Sequence, residues 1–378
     1  MAKKIFFFSL SLFVLVLIFL GAYNLAFKNN VNDPVADPGK KSFEKNNTEP
    51  QFTPNGTAEN PINEAILGAT GSDDYFIYYY SLDDKSIKKA TFEGKNKSIL
   101  MSHLPGEVTR ILWSPKRDKA LLFIAQDGPS LWYFANLTTK TLIPLKPEIS
   151  RLAWDNFGEK IFYQYTDPIT KKRSLNMANP DGGNWKKLTD LGDDDYYLSS
   201  VPGSSLVSFW PKPRIQSLSS LETVGAAGET RHIITSGIYG GDYLWTSNGE
   251  RVVVSGDETT DGKNFSLRVI ENTGQAKDLA IPTITSKTVW SKDNHTLYYA
   301  LPGGLPENTR LPNDYFEKNI HSKDTFWKID TNTGKKTRLV TLKDATQIFD
   351  SSNLFLSPEE DGLFFTDRTT NKIYRISL

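Results

Sequence analysis

One unit recurs along this chain: a bulky residue opens a tight turn, and about seven residues later an apolar run begins. Trp154-Asp155-Asn156-Phe157-Gly158 leads to Ile161-Phe162-Tyr163, and Trp245-Thr246-Ser247-Asn248-Gly249 leads to Val252-Val253-Val254. Trp290-Ser291-Lys292-Asp293-Asn294 leads to Leu297-Tyr298-Tyr299, and Trp113-Ser114-Pro115 to Leu121-Leu122-Phe123 after one extra residue. Two copies, Ser199 to Leu206 and Leu356 to Leu363, keep the offset without the indole. The anchors lie about 41 to 46 residues apart, the period of a propeller with one four-stranded blade per repeat.

A further, weaker copy near Ala69 is inferred from the strand pattern at 75–80. The expected fold class is therefore all-β: a β-propeller of seven four-stranded blades, with six or eight left open, preceded by one transmembrane helix. In each repeat the innermost strand leads into the anchor turn and the apolar run is the second strand. The third and fourth form a hairpin over an Asn or Asp and a Gly, which supply the positive φ such turns need. Trp327-Lys328-Ile329-Asp330-Thr331-Asn332-Thr333-Gly334-Lys335-Lys336-Thr337-Arg338-Leu339 is the clearest hairpin, and 269–275 repeats it. The gap from Trp290 to Leu356 is about twenty residues too long for the period, and the excess falls at 301–322, between second and third strands. The last repeat stops after three strands. Residues just before the first repeat are expected to supply the fourth and close the ring, which removes exposed sheet edges.

The N-terminus sets the compartment. Lys3 and Lys4 precede an apolar run from Ile5 that extends to Phe27. Roughly 22 helical residues span about 33 Å, enough for a bilayer core. The lysines place the N-terminus in the cytoplasm and the rest outside. A cleaved signal peptide is the rival, with a longer apolar region than usual and no clean cleavage site. The domain plan is a cytoplasmic stub at 1–4, a transmembrane signal anchor at 5–27, a disordered extracytoplasmic linker at 28–60 and the propeller at 61–378. The linker is rich in Asn, Pro, Lys, Glu, Thr and Gly and nearly lacks aliphatics, so it buries too little to order itself. Its reach is on the order of 30 Å.

The formal net charge is zero, from 44 basic and 44 acidic residues, so nothing steers the chain to a polyanion and no nucleic-acid partner is expected. The absence of cysteine excludes disulfides, thiolate metal sites and thiol nucleophiles.

The hairpin Leu175-Asn176-Met177-Ala178-Asn179-Pro180-Asp181-Gly182-Gly183-Asn184-Trp185-Lys186-Lys187-Leu188-Thr189 resembles the TolB-type propeller repeat. That repeat pairs a W-S-P-D-G turn with a hairpin ending in D-G-x-x-x-x-L-T. The propeller of dipeptidyl peptidases is a more distant likeness. The resemblance covers roughly 61–378 and implies the fold. It constrains function little, because such propellers serve as periplasmic scaffolds, peptidase gatekeepers and occasional enzymes. The chain lacks the N-terminal α/β domain of TolB and carries an apolar leader instead.

Catalytic motifs are scarce. There is no G-x-S-x-G, and the length leaves no hydrolase domain after the propeller. The histidines, His103, His232, His295 and His321, fall in different repeats without metal-ligand spacing. His295 reads as a turn residue; His321, at the end of the insertion, is of more interest. The stretch 291–297 has a faint Asp-box look that an ordinary blade turn explains. The stretch 257–264 lacks the alternation and distal Glu of a calcium loop and reads as a hairpin connection. No cofactor and no metal site is expected.

One face should collect the long loops, because connections from outer strand to next blade and from second to third strand share it. Asp193, Asp194 and Asp195 lie in a loop of the first kind, and the stretches 236–242 and 105–107 are assigned to the same face. The insertion, with three prolines, Tyr315 and Phe316, is of the second kind, as is Trp210-Pro211-Lys212-Pro213-Arg214. Tyr, Trp and Arg are common anchors of binding surfaces, and long loops with their own composition tend to be functional. The candidate binding surface is thus Trp210, Arg214, Asp193, Asp194, Asp195, Tyr315 and Phe316, with packing of the insertion over the blade edge as the bland alternative. The functional expectation is a non-enzymatic, membrane-anchored platform outside the cell membrane for a protein or cell-wall partner. The alternative is a glycan-active hydrolase or lyase using carboxylates near the propeller axis, about 5–10 Å apart. A ligand sensor is a third option, disfavoured by the four-residue stub.

Overall fold

The computed structural model describes residues 55–271, 274–317, 320–342 and 347–378. The expected stub and anchor, and the linker up to residue 54, lie outside the described residues.

From Ile66 onward, antiparallel strands follow one another in simple meanders. Four strands from Ile66–Gly71 to Ser98–Met101 form one sheet, four from Glu107–Trp113 to Thr141–Pro144 the next, and four from Ile149–Trp154 to Lys186–Asp190 a third. A seven-stranded sheet runs from Tyr196–Ser200 to Ala276–Asp278. Four strands from Thr288–Trp290 to Lys336–Arg338 follow, then three: Ser351–Leu356, Gly362–Asp367 and Ile373–Ser377. The first strands of neighbouring repeats lie beside one another around a central channel. The fold is a β-propeller.

The apolar runs are the second strands, and their burial explains the sequence. Val252, Val253 and Val254 are buried, as are Leu363, Phe364 and Phe365. A strand covered on both faces has no polar side, so it reads as a continuous apolar run and not as an alternation. The outermost strands do the reverse, and Ala276–Asp278 is exposed at every position. Between neighbouring sheets the rings interdigitate: Phe326 lies 4.6 Å from Phe365, and Phe349 lies 5.2 Å from Phe365 and 4.6 Å from Tyr374. The hairpin turn anticipated at Gly334 has φ 78° there and closes with Gly334 N–H donating to the Asp330 carbonyl at 2.7 Å.

The recurrent tryptophans stitch repeat to repeat. Trp113 Nε1 donates to the Gly68 carbonyl at 2.6 Å, Trp154 Nε1 to Leu112 at 2.9 Å, and Trp290 Nε1 to Leu244 at 3.2 Å. Trp245 Nε1 reaches the Ser208 hydroxyl at 3.0 Å. Each acceptor sits one repeat upstream; for Trp113, Trp154 and Trp290 it is a carbonyl of the preceding inner strand, and each bond is a net gain of about 1 kcal/mol. Where the indole is missing, smaller groups take over: Ser200 Oγ donates to the Trp154 carbonyl, and Asn353 Nδ2 to Ala69 at 2.5 Å.

The last of these joins the final repeat to the first. Closure is completed outside, where Glu59 and Arg375 exchange backbone hydrogen bonds of 2.9 and 2.8 Å. Residues before the first repeat therefore do extend the three-stranded last sheet, as expected. The next stretch of the N-terminal arm, Asn55–Gly56, pairs in parallel with Thr341–Leu342.

One expected loop is absent. Residues 236–242 belong to a single strand, His232–Trp245, which pairs with Leu218–Gly225 along its first half and with Arg251–Asp257 along its second. An outer strand passes directly into the next inner strand, and the register breaks between Tyr239 and Asp242 absorb the bend. Gly240, at φ 64°, makes the bend possible; a Cβ there would come 2.9 Å from Pro312 Cδ.

Candidate functional site

Both ends of the channel are open clefts, and they differ in kind. At the end formed by the anchor turns, a cleft of ≈ 820 Å³ is lined by Trp113, Trp154, Arg117 and Asn156 among others. At the loop end, a cleft of ≈ 540 Å³ is lined by Thr109, Arg110, His321, Asn353, Thr366 and Arg368 among others. The two share Gly68, Ile111, Leu112 and Asn353. The loop end carries the candidate site.

Its most unusual element is a buried lysine. Lys287 is the last residue of a single 3-10 turn, Thr285–Lys287, just before the inner strand Thr288–Trp290, and is 0% exposed. Its Nζ lies 2.6 Å from Asp324 Oδ2 and 3.0 Å from Asp350 Oδ1, and also donates to the Ser351 carbonyl at 2.6 Å and to the Ser322 hydroxyl at 3.2 Å. Asp350 Oδ2 accepts from Arg368 Nη1 at 2.9 Å and faces His321 Nδ1 at 3.2 Å. Burial alone would lower the lysine and raise the carboxyl, but the opposite charges outweigh it. Lys287 is held above its ordinary range, mainly by Asp324, and Asp350 below its own, mainly by Lys287 and then Arg368. Two cations and two carboxylates form one charge-balanced unit joining the last two repeats to the insertion.

The insertion folds back onto this unit. After a cis Leu311–Pro312 bond, a short helix, Asn313–Phe316, places the Tyr315 ring 3.9 Å from the Arg368 guanidinium and 5.1 Å from Lys287 Nζ. Asn313 fastens it to the neighbouring loop: its Oδ1 accepts from Ile215 N–H at 2.9 Å and its Nδ2 donates to Gln216 Oε1 at 2.9 Å. Ile215, Phe265, Ile284, Leu311 and Tyr315 make a small apolar core beneath.

A second polar group lies across the mouth. Arg151 binds Asp195 through both Nε, at 3.0 Å, and Nη2, and stacks 4.9 Å from the Tyr197 ring. Burial would raise Asp195, but Arg151, with help from Lys212 and Arg173, holds it below the ordinary range. Among the described residues, Asp242 has no cation beside it. It accepts from Trp210 Nε1 at 3.0 Å and Thr285 Oγ1 at 2.5 Å, and burial pushes it up despite these bonds.

The sequence-predicted residues divide. Asp195 and the 210–214 loop do meet, since Lys212 N–H donates to the Asp195 carbonyl at 2.7 Å. Asp193, Asp194 and Arg214 are exposed. Trp210 and Tyr315, expected as presented aromatic anchors, are buried at 4% and 7% exposure, and Phe316 is half-buried. Trp210 packs edge-on against Tyr197 and Tyr243. The aromatics are drawn inward because each has an apolar wall and a polar tip with a partner, which is worth more than leaving the ring in water. The bland expectation, an insertion packed over the blades, holds for its aromatics. Asp257 spends its carboxylate on the backbone N–H groups of Thr259 and Asn264, at 3.0 and 2.8 Å, consistent with a hairpin connection. Among the described residues there is no group of three or more His, Cys, Asp or Glu able to hold a metal.

Sequence reasoning missed Lys287, Asp324, Asp350 and Arg368, which come from four separate segments. The only available signal was a lysine and two aspartates at the ends of strongly apolar strands.

No protein-family model matches the sequence, and no curated protein matches it. Solved structures do match in shape. An oligogalacturonate lyase from Vibrio parahaemolyticus is 11% identical with a TM-score of 0.58, over 85% of this chain and 91% of that one. A prolyl endopeptidase is 13% identical with a TM-score of 0.56, over 84% of this chain and 49% of that one. TolB from Acinetobacter baumannii is 12% identical with a TM-score of 0.47, over 74% of this chain and 64% of that one. At such identities the likeness is one of fold: the chain is a β-propeller, similar in architecture to the lyase and to the propeller part of the peptidase.

Proposed function

We propose that this chain is a membrane-anchored, extracytoplasmic propeller of seven blades that acts as a non-enzymatic platform, binding a protein or cell-wall partner at the loop end of its channel. The reading of seven takes the seven-stranded sheet as two blades sharing His232–Trp245. The apolar segment 5–27 supplies the tether.

The observation that carries the platform reading is the mutual pairing of the buried and half-buried charges at the loop end. Lys287, Arg368, Asp324 and Asp350 are committed to one another, and Arg151 to Asp195. Carboxylates held ionised by fixed cations are poor proton donors, but they hold a surface in one shape, and preorganisation lowers the cost of binding. The exposed Arg214, Asp193 and Asp194 then border that rigid mouth.

A second reading rests on His321. Its side chain is 64% exposed, its Nδ1 is oriented by the buried Asp350, and it lines the loop-end cleft beside Arg110 and Arg368. A histidine oriented through Nδ1 by a carboxylate is the usual arrangement of a general base. This is the glycan-active alternative, with an imidazole in place of the expected carboxylate pair.

Fractionation followed by crosslinking tests the proposal. The full chain should sediment with membranes, resist alkaline extraction, and crosslink to a stoichiometric partner through 193–214 or 301–322. Recovery in the soluble fraction would remove the tether. Turnover of an acidic or neutral polysaccharide that is lost in His321→Ala would replace the platform with the enzyme.

A further inference from the structure

We infer that the loop-end cleft is an anion site that takes a hydroxyl-rich ligand bearing a carboxylate or a phosphate, such as an acidic sugar or a polyol phosphate. This deepens the platform reading and rests on it, since it names the chemistry recognised at the same mouth.

Three observations converge. First, the cleft is lined by Arg110, Arg368 and His321, and no carboxylate is among its lining residues. Asp350 stands behind the wall, almost fully buried, and its charge is spent on Lys287 and Arg368. Second, Arg110 is exposed and its guanidinium has no hydrogen bond or ion pair among the described residues. It projects from an inner strand, Glu107–Trp113, where a register shift between Val108 and Arg110 re-aims the backbone. An arginine lining a concave site without a counterion is free to make a bidentate bond to an oxyanion. Third, Thr366 lines the same cleft at 8% exposure, and its hydroxyl is buried with no partner in the chain. Buried hydroxyls are normally satisfied, so this one is available to a ligand.

The rest of the wall selects for the scaffold carrying the anion. Asn353, Asn371, Thr109 and Ser352 offer neutral donors and acceptors, while Ile66, Leu67 and Ile111 offer apolar patches. Such a mixture suits a ring or chain of hydroxyls with C–H faces. A volume of ≈ 540 Å³ falls within the usual range for small-ligand sites, about 300–1,000 Å³, and exceeds what a bare oxyanion would fill. Arg368 is immobilised by Asp350 and by the Tyr315 carbonyl, at 2.9 and 3.2 Å, so it contributes a fixed edge. Arg110 supplies the uncompensated charge.

Titration calorimetry on the intact, detergent-solubilised chain tests this with three probes: trigalacturonate, glycerol 3-phosphate and neutral galactotriose. One of the two anions is expected to bind, and which one does so separates acidic glycans from polyol phosphates. Galactotriose should not bind. Arg110→Gln, which breaks no hydrogen bond or ion pair among the described residues, should weaken the anion about tenfold or more, and Thr366→Val roughly fivefold. Far-UV circular dichroism checks that both variants are folded. Silence with both anions, equal binding of galactotriose, or unchanged affinity in Arg110→Gln would overturn the inference. If neither anion binds while partner crosslinks at 193–214 persist, this inference fails and the platform stands. If an anion binds and no crosslink forms, the platform fails and a small-ligand site remains.

Discussion

The two ends of the channel are held together by different chemistry. At the turn end, one device is used repeatedly: an indole donates to the preceding repeat, in Trp113, Trp154, Trp245 and Trp290. At the loop end, single-copy ion networks replace repetition. Lys287 bridges two carboxylates, Arg151 grips Asp195, and Glu64 gathers Lys88 and Lys97 at 2.9 and 3.0 Å. Repetition builds a ring whose parts are interchangeable. Unique buried charges give one end an identity that the other lacks.

If that contrast is correct, the largest stability loss belongs to the loop end. Lys287→Met should cost about 3–5 kcal/mol in denaturant unfolding of the 55–378 fragment, because it leaves buried Asp324 without its cation and Asp350 with Arg368 alone. A loss below about 1 kcal/mol would mean that the network is not fixed as described.

Glu64 gives the same end a pH signature. Burial would raise its carboxyl, but bonds from Ser81, Lys88, Lys97 and Tyr79 hold it at about 2, against an ordinary 4.5. Its folded pKa is depressed, so its stabilisation is complete above about 4.5 and is lost as pH falls toward 2. Stability measured from pH 7 downward should therefore drop through that window. Glu64→Gln should be less stable at pH 7 and show a shallower acid limb. An unchanged acid limb would remove Glu64 from the account.

The turn end should respond in smaller, additive steps. Trp154→Phe keeps most of the ring but loses the donor to Leu112, for a cost of about 1 kcal/mol. Trp290→Phe should do likewise, and the double variant should equal the sum, because the two residues lie in separate sheets and separate core clusters. Strong non-additivity would show that the stitches act as one unit. At the other extreme, Arg214→Ala should change stability by less than about 0.5 kcal/mol, since Arg214 is exposed and has no ion pair among the described residues.

The same contrast explains what was legible in the sequence. A device used four times leaves a period, so the anchors, the second strands, the hairpin at Gly334 and the position of the insertion could all be read. Closure by residues before the first repeat followed from counting strands. The fusion of two repeats through His232–Trp245 left no signal, because a bent strand and a short loop are both written with Gly and Tyr. The loop-end network was invisible for another reason. Lys287, Asp324, Asp350 and Arg368 meet only after the ring closes and the insertion folds back. Trp210 and Tyr315 were noticed, but their residue type could not say that a partner such as Asp242 or Arg368 would draw each ring inward.

The central claim is that the loop end, not the turn end, meets the partner. A photocrosslinking amino acid placed at Arg214 and, separately, at Phe157 addresses it most directly. Phe157 is 67% exposed in the Trp154 turn, so both positions are accessible, one at each end. The account predicts a discrete adduct in the native membrane from position 214 and none from position 157. Adducts from position 157 alone would contradict it.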